Sequence, residues 1–184
     1  MIYLKEAVLQ DRKKIYKWLY FSDFSPFLNE LQAHAPESIP SFHEFKEDYE
    51  DFFFESSNPE KGQGYIITNE EQDIGFISYT SFHLMCGIAE LDIWLKSLNY
   101  AGNGYGTSAL KSLSKKLLTE GFHTLIMRPC AKNIRAINSY KKAGFVESVF
   151  EPEKYYKKEY IDKYAAGDCK NGEDIFMVLK NYLK

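Results

Sequence analysis

The period of the apolar positions changes partway along the chain, and that change predicts the order of elements. Ile2–Ala7 opens as a strand. Asp11 then offers an N-cap to a helix carrying Ile15, Trp18 and Leu19 on one face. Pro26, Pro36 and Pro40 make residues 22–40 a long irregular connection, a length that in a compact domain goes with function or mobility. Ser41 and Glu44 have capping-box spacing. The helix they start aligns Phe42, Phe45, Tyr49, Phe52 and Phe53 near one stripe, opposite Glu44, Glu47, Asp48, Glu50 and Asp51. That face reads either as core packing or as the wall of a pocket.

Three strand signals follow, Gly64–Thr68, Ile74–Phe82 and Ile88–Leu95, close enough in sequence for an antiparallel meander. Gly104–Leu118 then turns helical, with Leu110, Leu113 and Leu117 at helical spacing. His123–Met127 is a strand, Asn133–Ala143 a helix with Ala136, Ile137 and Tyr140 inward, and Phe145–Phe150 and Asp174–Leu179 two further strands. Strand–helix–strand order requires some parallel pairing. The expectation is an α/β (α+β) fold in a single domain over residues 1–184, with a mixed sheet of about six or seven strands, antiparallel in its first half, and helices on both faces.

Composition narrows the class. The chain has 184 residues, 45% hydrophobic and 27% charged, a globular balance. The longest uncharged run, Ile74–Ala89, contains Ser78, Thr80, Ser81 and His83 and is shorter than the ~18 apolar residues of a spanning helix. Lys5 and Glu6 interrupt any signal-peptide core. Cys86, Cys130 and Cys169 are widely spaced and odd in number, which predicts free thiols, no metal site and a cytoplasmic setting. His34, His43, His83 and His123 have neither ligand nor triad spacing.

The net charge of −3 hides a split. Residues 1–103 carry 8 basic and 17 acidic groups, whereas residues 104–142 carry 8 basic groups and the single acid Glu120. The basic block suits an anion and the acidic part a cation. No membrane or nucleic-acid partner is expected.

Candidate chemistry sits where the strand Leu91–Leu95 runs into Ala101-Gly102-Asn103-Gly104-Tyr105-Gly106-Thr107 and then a helix. Glycines let backbone approach a phosphate, and the N–H groups of a helix N-terminus face it. Two common variants are excluded. Thr107 stands where a dinucleotide fingerprint needs a third glycine, and no lysine follows Gly106 as a P-loop requires. Downstream, Asn133 can cap a helix, Ala136 and Tyr140 follow on its face, and Gly144-Phe145 ends it.

The loop followed by Asn-x-x-Ala-x-x-x-Tyr-x-x-x-Gly-Phe resembles the GCN5-related N-acetyltransferase (GNAT) family, over roughly residues 88–150. The resemblance implies acetyl-CoA as cosubstrate, no metal, and direct acetyl transfer without an acyl-enzyme. It implies that the parallel fourth and fifth strands splay to admit pantetheine. Ala101–Thr107 would then hold the pyrophosphate, a backbone N–H near Trp94–Leu95 would polarise the acetyl oxygen, and Asn133, Ala136 and Tyr140 would flank the coenzyme. Ala101 departs from the Arg or Gln usual at that place in the family, which shifts phosphate binding toward backbone and the basic block.

Alternation on the fourth strand puts Leu91, Ile93 and Leu95 on one face and Glu90, Asp92 and Trp94 on the other. The two carboxylates are either satisfied by a basic group or chemically active. On the active reading Asp92 is the general base, Glu90 positions the acceptor ammonium, and Tyr140 protonates the coenzyme thiolate. Tyr155, Tyr156, Tyr160 and Tyr164 serve as packing or as the far wall of the acceptor site.

Within the family the sequence is similar to aminoglycoside 6'-N-acetyltransferases, with Asp92 ten residues before Gly102 and a matching opening around Leu4–Ala7 and Ile15–Leu19. That similarity implies a polycationic small-molecule amine as acceptor, and the acidic first half suits it. A protein N-terminal acetyltransferase and a non-catalytic coenzyme A-binding module are the alternatives. Exposed strand edges leave a homodimer open.

Overall fold

In the computed structural model, residues 1–23, 25, 39–166, 169 and 173–181 are described. Most of the 22–40 connection, including Pro26 and Pro36, therefore lies outside the described residues. The strands are β1 (Tyr3–Glu6), β2 (Gly62–Thr68), β3 (Asp73–Thr80), β4 (Ile88–Leu95), β5 (Thr124–Met127), β6 (Val146–Glu147) and β7 (Met177–Lys180). They form one seven-stranded sheet in the order β1-β2-β3-β4-β5-β7-β6. β1 to β4 pair antiparallel, as the meander predicts, while β4 and β5 pair parallel. The Asn69 side chain organises the β2–β3 turn by accepting from the N–H groups of Glu71 and Gln72 at 3.0 and 2.8 Å.

Helices cover both faces. α1 (Arg12–Phe21) and α2 (Phe42–Asp48) pack on one, α3 (Tyr105–Thr119) and α4 (Ile134–Ala143) on the other. Leu91, Ile93 and Leu95 of β4 join Ala109, Leu110, Leu113, Leu117, Ile137 and Tyr140 in one core. Trp94 points the other way, into an aromatic core with Phe45, Phe52, Phe53, Phe54 and Phe76. A third core around Leu84, Ile88, Ile126, Tyr155, Tyr156 and Phe176 closes the β5–β7 end. The alternation read along β4 therefore sorts its side chains as the sequence predicts.

Several boundaries differ from expectation. Asp11 does not cap α1 through its side chain; its carboxylate accepts from the Val8 N–H at 3.1 Å and pairs with Lys14 at 2.7 Å. Ser41 and Glu44 do form the capping box, with reciprocal bonds of 3.2 and 2.6 Å. The helix they start stops at Asp48, and Asp51–Phe54 form a separate 3-10 turn. The break lets three consecutive phenylalanines lie on β2, where Gly64 makes room: a Cβ there would come within 2.9 Å of the Phe53 carbonyl.

The sixth strand shrinks to Val146–Glu147, and β7 starts only at Met177. Phe145 is drawn into the core beneath the turn at Gly144, and Val149 lies exposed beyond the pairing. Cys130 and Cys169 form a disulfide with Cα atoms 5.4 Å apart, which corrects the expectation of three free thiols; Cys86 alone is free. An isolated bridge between Cys130 and Asp174 draws the late chain back to the end of β5, a pairing that cysteine spacing does not encode. No described helix is long and apolar enough to cross a membrane.

Candidate active site

The loop after β4 begins with a 3-10 turn, Leu98–Tyr100, fastened by Asp23, whose carboxylate accepts from the Ser97 hydroxyl at 3.0 Å and the Leu98 N–H at 2.8 Å. Asn103 folds the loop on itself through its side-chain amide, which donates to the Asn99 carbonyl at 3.2 Å. Gly102 and Gly104 have φ of 79° and 78°, the left-handed region that favours glycine. A Cβ at either would meet nothing within 4 Å, so the glycines face open space. Gly104 is the N-cap of α3, and no side-chain hydrogen bond caps that helix. The first-turn N–H groups of a 15-residue helix therefore open onto free space, an arrangement that accommodates an anion.

α4 is braced against this loop. Thr107 and Ser139 share a hydroxyl–hydroxyl bond of 2.9 Å. Asn133 caps α4 by accepting the Ala136 N–H at 3.1 Å, as its sequence position predicts. At the other end Gly144 (φ 105°) donates to the Lys141 carbonyl and Phe145 to the Tyr140 carbonyl, both at 3.0 Å, the Schellman pattern. The basic block is solvent-facing: Lys111, Lys115, Lys132 and Lys142 are exposed, while Lys116 and Lys141 pair with Glu120 and Glu147 at 2.6 Å each.

β4 and β5 register only at Ile88–Thr124, Ala89–Leu125 and Glu90–Ile126. From Leu91 onward β4 has no partner on that side among the described strands. This is the splay that the family resemblance implied, and Asp92, Trp94 and Leu95 belong to the unpaired stretch of β4. Trp94 and Leu95 are buried, Trp94 against Phe76 with ring centroids 4.8 Å apart. Tyr140 is buried on the α4 side. Burial pushes its hydroxyl pKa up, and the negative charge of Asp92 pushes it further the same way. The charge of Asp92 thus reaches Tyr140 although their side chains belong to opposite faces of the sheet.

Asp92 itself is exposed. One carboxylate oxygen accepts from the Tyr49 hydroxyl at 3.0 Å and the other from the Ile93 N–H at 2.8 Å. Tyr49 is held by stacking on Phe45 at 4.7 Å and by an edge contact with Trp94 at 5.7 Å. Sequence reasoning placed Tyr49 only in the aromatic stripe; a hydroxyl-bearing member of that stripe was the one available signal. A pocket of about 340 Å³ is lined in part by Glu50, Glu60, Lys61, Lys157, Phe82 and Tyr160.

Glu90 is placed otherwise than expected. Its carboxylate is largely buried and is occupied by Arg128 at 2.8 Å, His83 at 3.2 Å and the Tyr156 hydroxyl at 3.1 Å. Burial alone would raise its pKa, but the His83 hydrogen bond and the Arg128 charge outweigh it and hold the carboxyl below its ordinary range. A carboxylate engaged on three sides does not present itself to an acceptor ammonium. This corrects the role predicted for Glu90 and makes a partner of His83, which its sequence position did not single out.

β4 and β5 thus part after three registered pairs, and the loop that follows β4 leads into the N-terminus of α3, which has no side-chain cap. Residues 2–146 match the family model described as an acetyltransferase (GNAT) domain. The chain belongs to this family and is an acetyltransferase. No curated protein matches the sequence. Among solved structures it is similar to the aminoglycoside acetyltransferase AAC(6')-Ib with acetyl-CoA bound, at 21% identity and a TM-score of 0.68, covering 98% of this chain and 93% of that one. The same enzyme with coenzyme A and kanamycin gives 21% identity and 0.65, covering 98% and 95%. Spermidine N-acetyltransferase from Vibrio cholerae with coenzyme A and spermine gives 16% identity and 0.66, covering 97% and 95%. At these identities the likeness is one of fold.

Proposed function

We propose that this protein transfers the acetyl group of acetyl-CoA to a primary amine of a polycationic small molecule of the aminoglycoside or polyamine kind. The observation that carries the reading is Asp92: an exposed carboxylate at the mouth of the splay, oriented by Tyr49 and coupled electrostatically to buried Tyr140. Ala101–Thr107 would receive the pyrophosphate on the uncapped first turn of α3, where open space at Gly102 and Gly104 fits it. The cosubstrate supplies an activated thioester. Asp92 takes the proton from the attacking amine. As the new C–N bond forms the C–S bond breaks, its electron pair leaves on sulfur, and Tyr140 donates a proton there. Tyr140 is protonated at neutral pH and so holds the proton this step needs, while its raised pKa makes it a weaker acid than a free tyrosine.

The excess of acidic over basic groups in residues 1–103, 17 against 8, supports a cationic acceptor. Asp48 and Glu50 lie near enough to raise the pKa of exposed Lys163, after the larger effect of Tyr164. The two neighbours with bound kanamycin and spermine are consistent with such chemistry. The test is steady-state acetylation of kanamycin, spermidine and an alanine-starting peptide at low and high salt. Transfer to the polycations is expected to be faster and to weaken with salt, since exposed charges are screened within about 10 Å at 0.1 M. Salt-independent transfer favouring the peptide would replace this reading with protein N-terminal acetylation. Coenzyme A binding without transfer to any amine would leave a binding module.

A further inference from the structure

We infer that Arg128, clamped by Glu90, is a positioning residue that locks the wall of the acceptor site to the root of the splay. The inference rests on the reading that the Asp92 side receives the acceptor. Glu90 and Ile126 are the last registered pair of β4 and β5, and Arg128 stands two residues beyond, where the strands part. Its Nε donates to Glu90 at 2.8 Å. The other arm of the fork reaches across to the chain's later segment: Nη2 donates to the Tyr164 carbonyl at 2.9 Å and Nη1 to the Ala165 carbonyl at 3.3 Å. Those carbonyls end a short helix, α6 (Ile161–Tyr164), which follows α5 (Pro152–Tyr155). One guanidinium therefore ties the splay to a segment contributed from about 36 residues away.

That segment walls the acceptor side. The Tyr164 ring lies on His83 at 4.8 Å and meets Phe82 edge-on at 5.6 Å. Tyr160 meets Phe82 at 5.8 Å, and both line the pocket together with Glu50. The Tyr156 hydroxyl and His83 Nε2 complete the grip on Glu90, so each member of the set touches either the segment or the residue that holds it. Lysine at position 128 can still neutralise Glu90 but cannot donate in three directions along a planar fork. The clamp thus makes a distinction that a purely structural ion pair does not: the charge is kept while the wall is released.

The experiment compares Arg128→Lys and Tyr156→Phe with the unaltered protein in two measurements. Amide hydrogen exchange over residues 156–165 of the free protein should be about tenfold faster in Arg128→Lys, the loss expected for one or two charge-assisted bonds. Kinetics with acetyl-CoA and kanamycin, and with spermidine in parallel, should show the acceptor KM rising about tenfold while the acetyl-CoA KM stays within about twofold. Tyr156→Phe deletes a single hydroxyl and should move both readouts the same way by less, which keeps the question open to test if Arg128→Lys does not fold. Unaltered exchange over 156–165, or faster exchange with an unchanged acceptor KM, would overturn the inference. Asp92→Asn separates the two readings: it should lower kcat without changing exchange over 156–165. An unchanged kcat there would remove Asp92 as base, whereas the exchange rates of Arg128→Lys would still decide the clamp.

Discussion

Gly104 and Gly121 stand at opposite ends of α3, and together they isolate the role of the glycine loop. Both have positive φ, 78° and 105°. A Cβ at either position would meet nothing within 4 Å. Alanine at either site therefore incurs backbone strain without a clash, roughly 1–2 kcal/mol in the left-handed region. For a chain of this size that corresponds to a loss of about 2–8 °C in Tm at a few degrees per kcal/mol. The two positions are separated by the 15-residue helix, about 22 Å at 1.5 Å per residue. Gly121→Ala should consequently lose stability and retain coenzyme A affinity. Gly104→Ala should lose similar stability, and its added methyl would stand where the phosphate must approach the N–H groups of the first turn, weakening coenzyme A at least tenfold, about 1.4 kcal/mol. Thermal melts give the first quantity and calorimetric titration of coenzyme A the second. Equal coenzyme A affinity in the two variants would refute the assignment of the loop.

Tyr140→Phe keeps the buried ring and should lower turnover ~10²–10⁴-fold with coenzyme A binding little changed, measured by thiol release and titration. Asp92→Asn should lower kcat more than the acceptor KM in the same assay. Phe45→Ala, at a fully buried position of the aromatic core, should cost about 3–5 kcal/mol in denaturant unfolding. The depressed Glu90 pKa contributes stability that is present above the ordinary carboxylate range and lost as pH falls through its lowered value. Glu90→Gln should accordingly flatten the acid limb of the stability profile, while costing about 3–5 kcal/mol at neutral pH because Arg128 is left buried without its counter-charge.

Legibility followed sequence distance. The capping box of Ser41 and Glu44, the Asn133 cap and the Gly144 stop depend on neighbours within one turn, and all three stand as read. The β4 alternation was legible because a period of two fixes which face a side chain takes. The ties among candidate site residues were not. Tyr49 meets Asp92 across 43 positions and Arg128 meets Glu90 across 38, and nothing local records either contact. Glu90 shows the cost: its face was assigned correctly, but whether a carboxylate there is free or saturated depends on a guanidinium brought in by the end of β5. The aromatic stripe misled in the opposite direction. Helical spacing ran on to Phe53, yet the helix ends at Asp48 and Phe52–Phe54 lie in a separate 3-10 turn, with the Phe53 carbonyl close to Gly64.

The short register between β4 and β5 also bears on what holds the middle of the molecule together. Three residue pairs join the β1–β4 half of the sheet to the β5-β7-β6 half. Beyond them, one flank of β4 has no partner among the described strands, and its backbone groups must be met by side chains, as the Ile93 N–H is by Asp92, by solvent or by whatever enters the cleft. An extended amide-bearing guest would act there as a surrogate strand, knitting two half-sheets into a continuous fabric. The stiffness of the sheet's centre would then belong to the complex more than to the polypeptide, and occupancy of the gap should be felt in residues of both halves that never touch the guest.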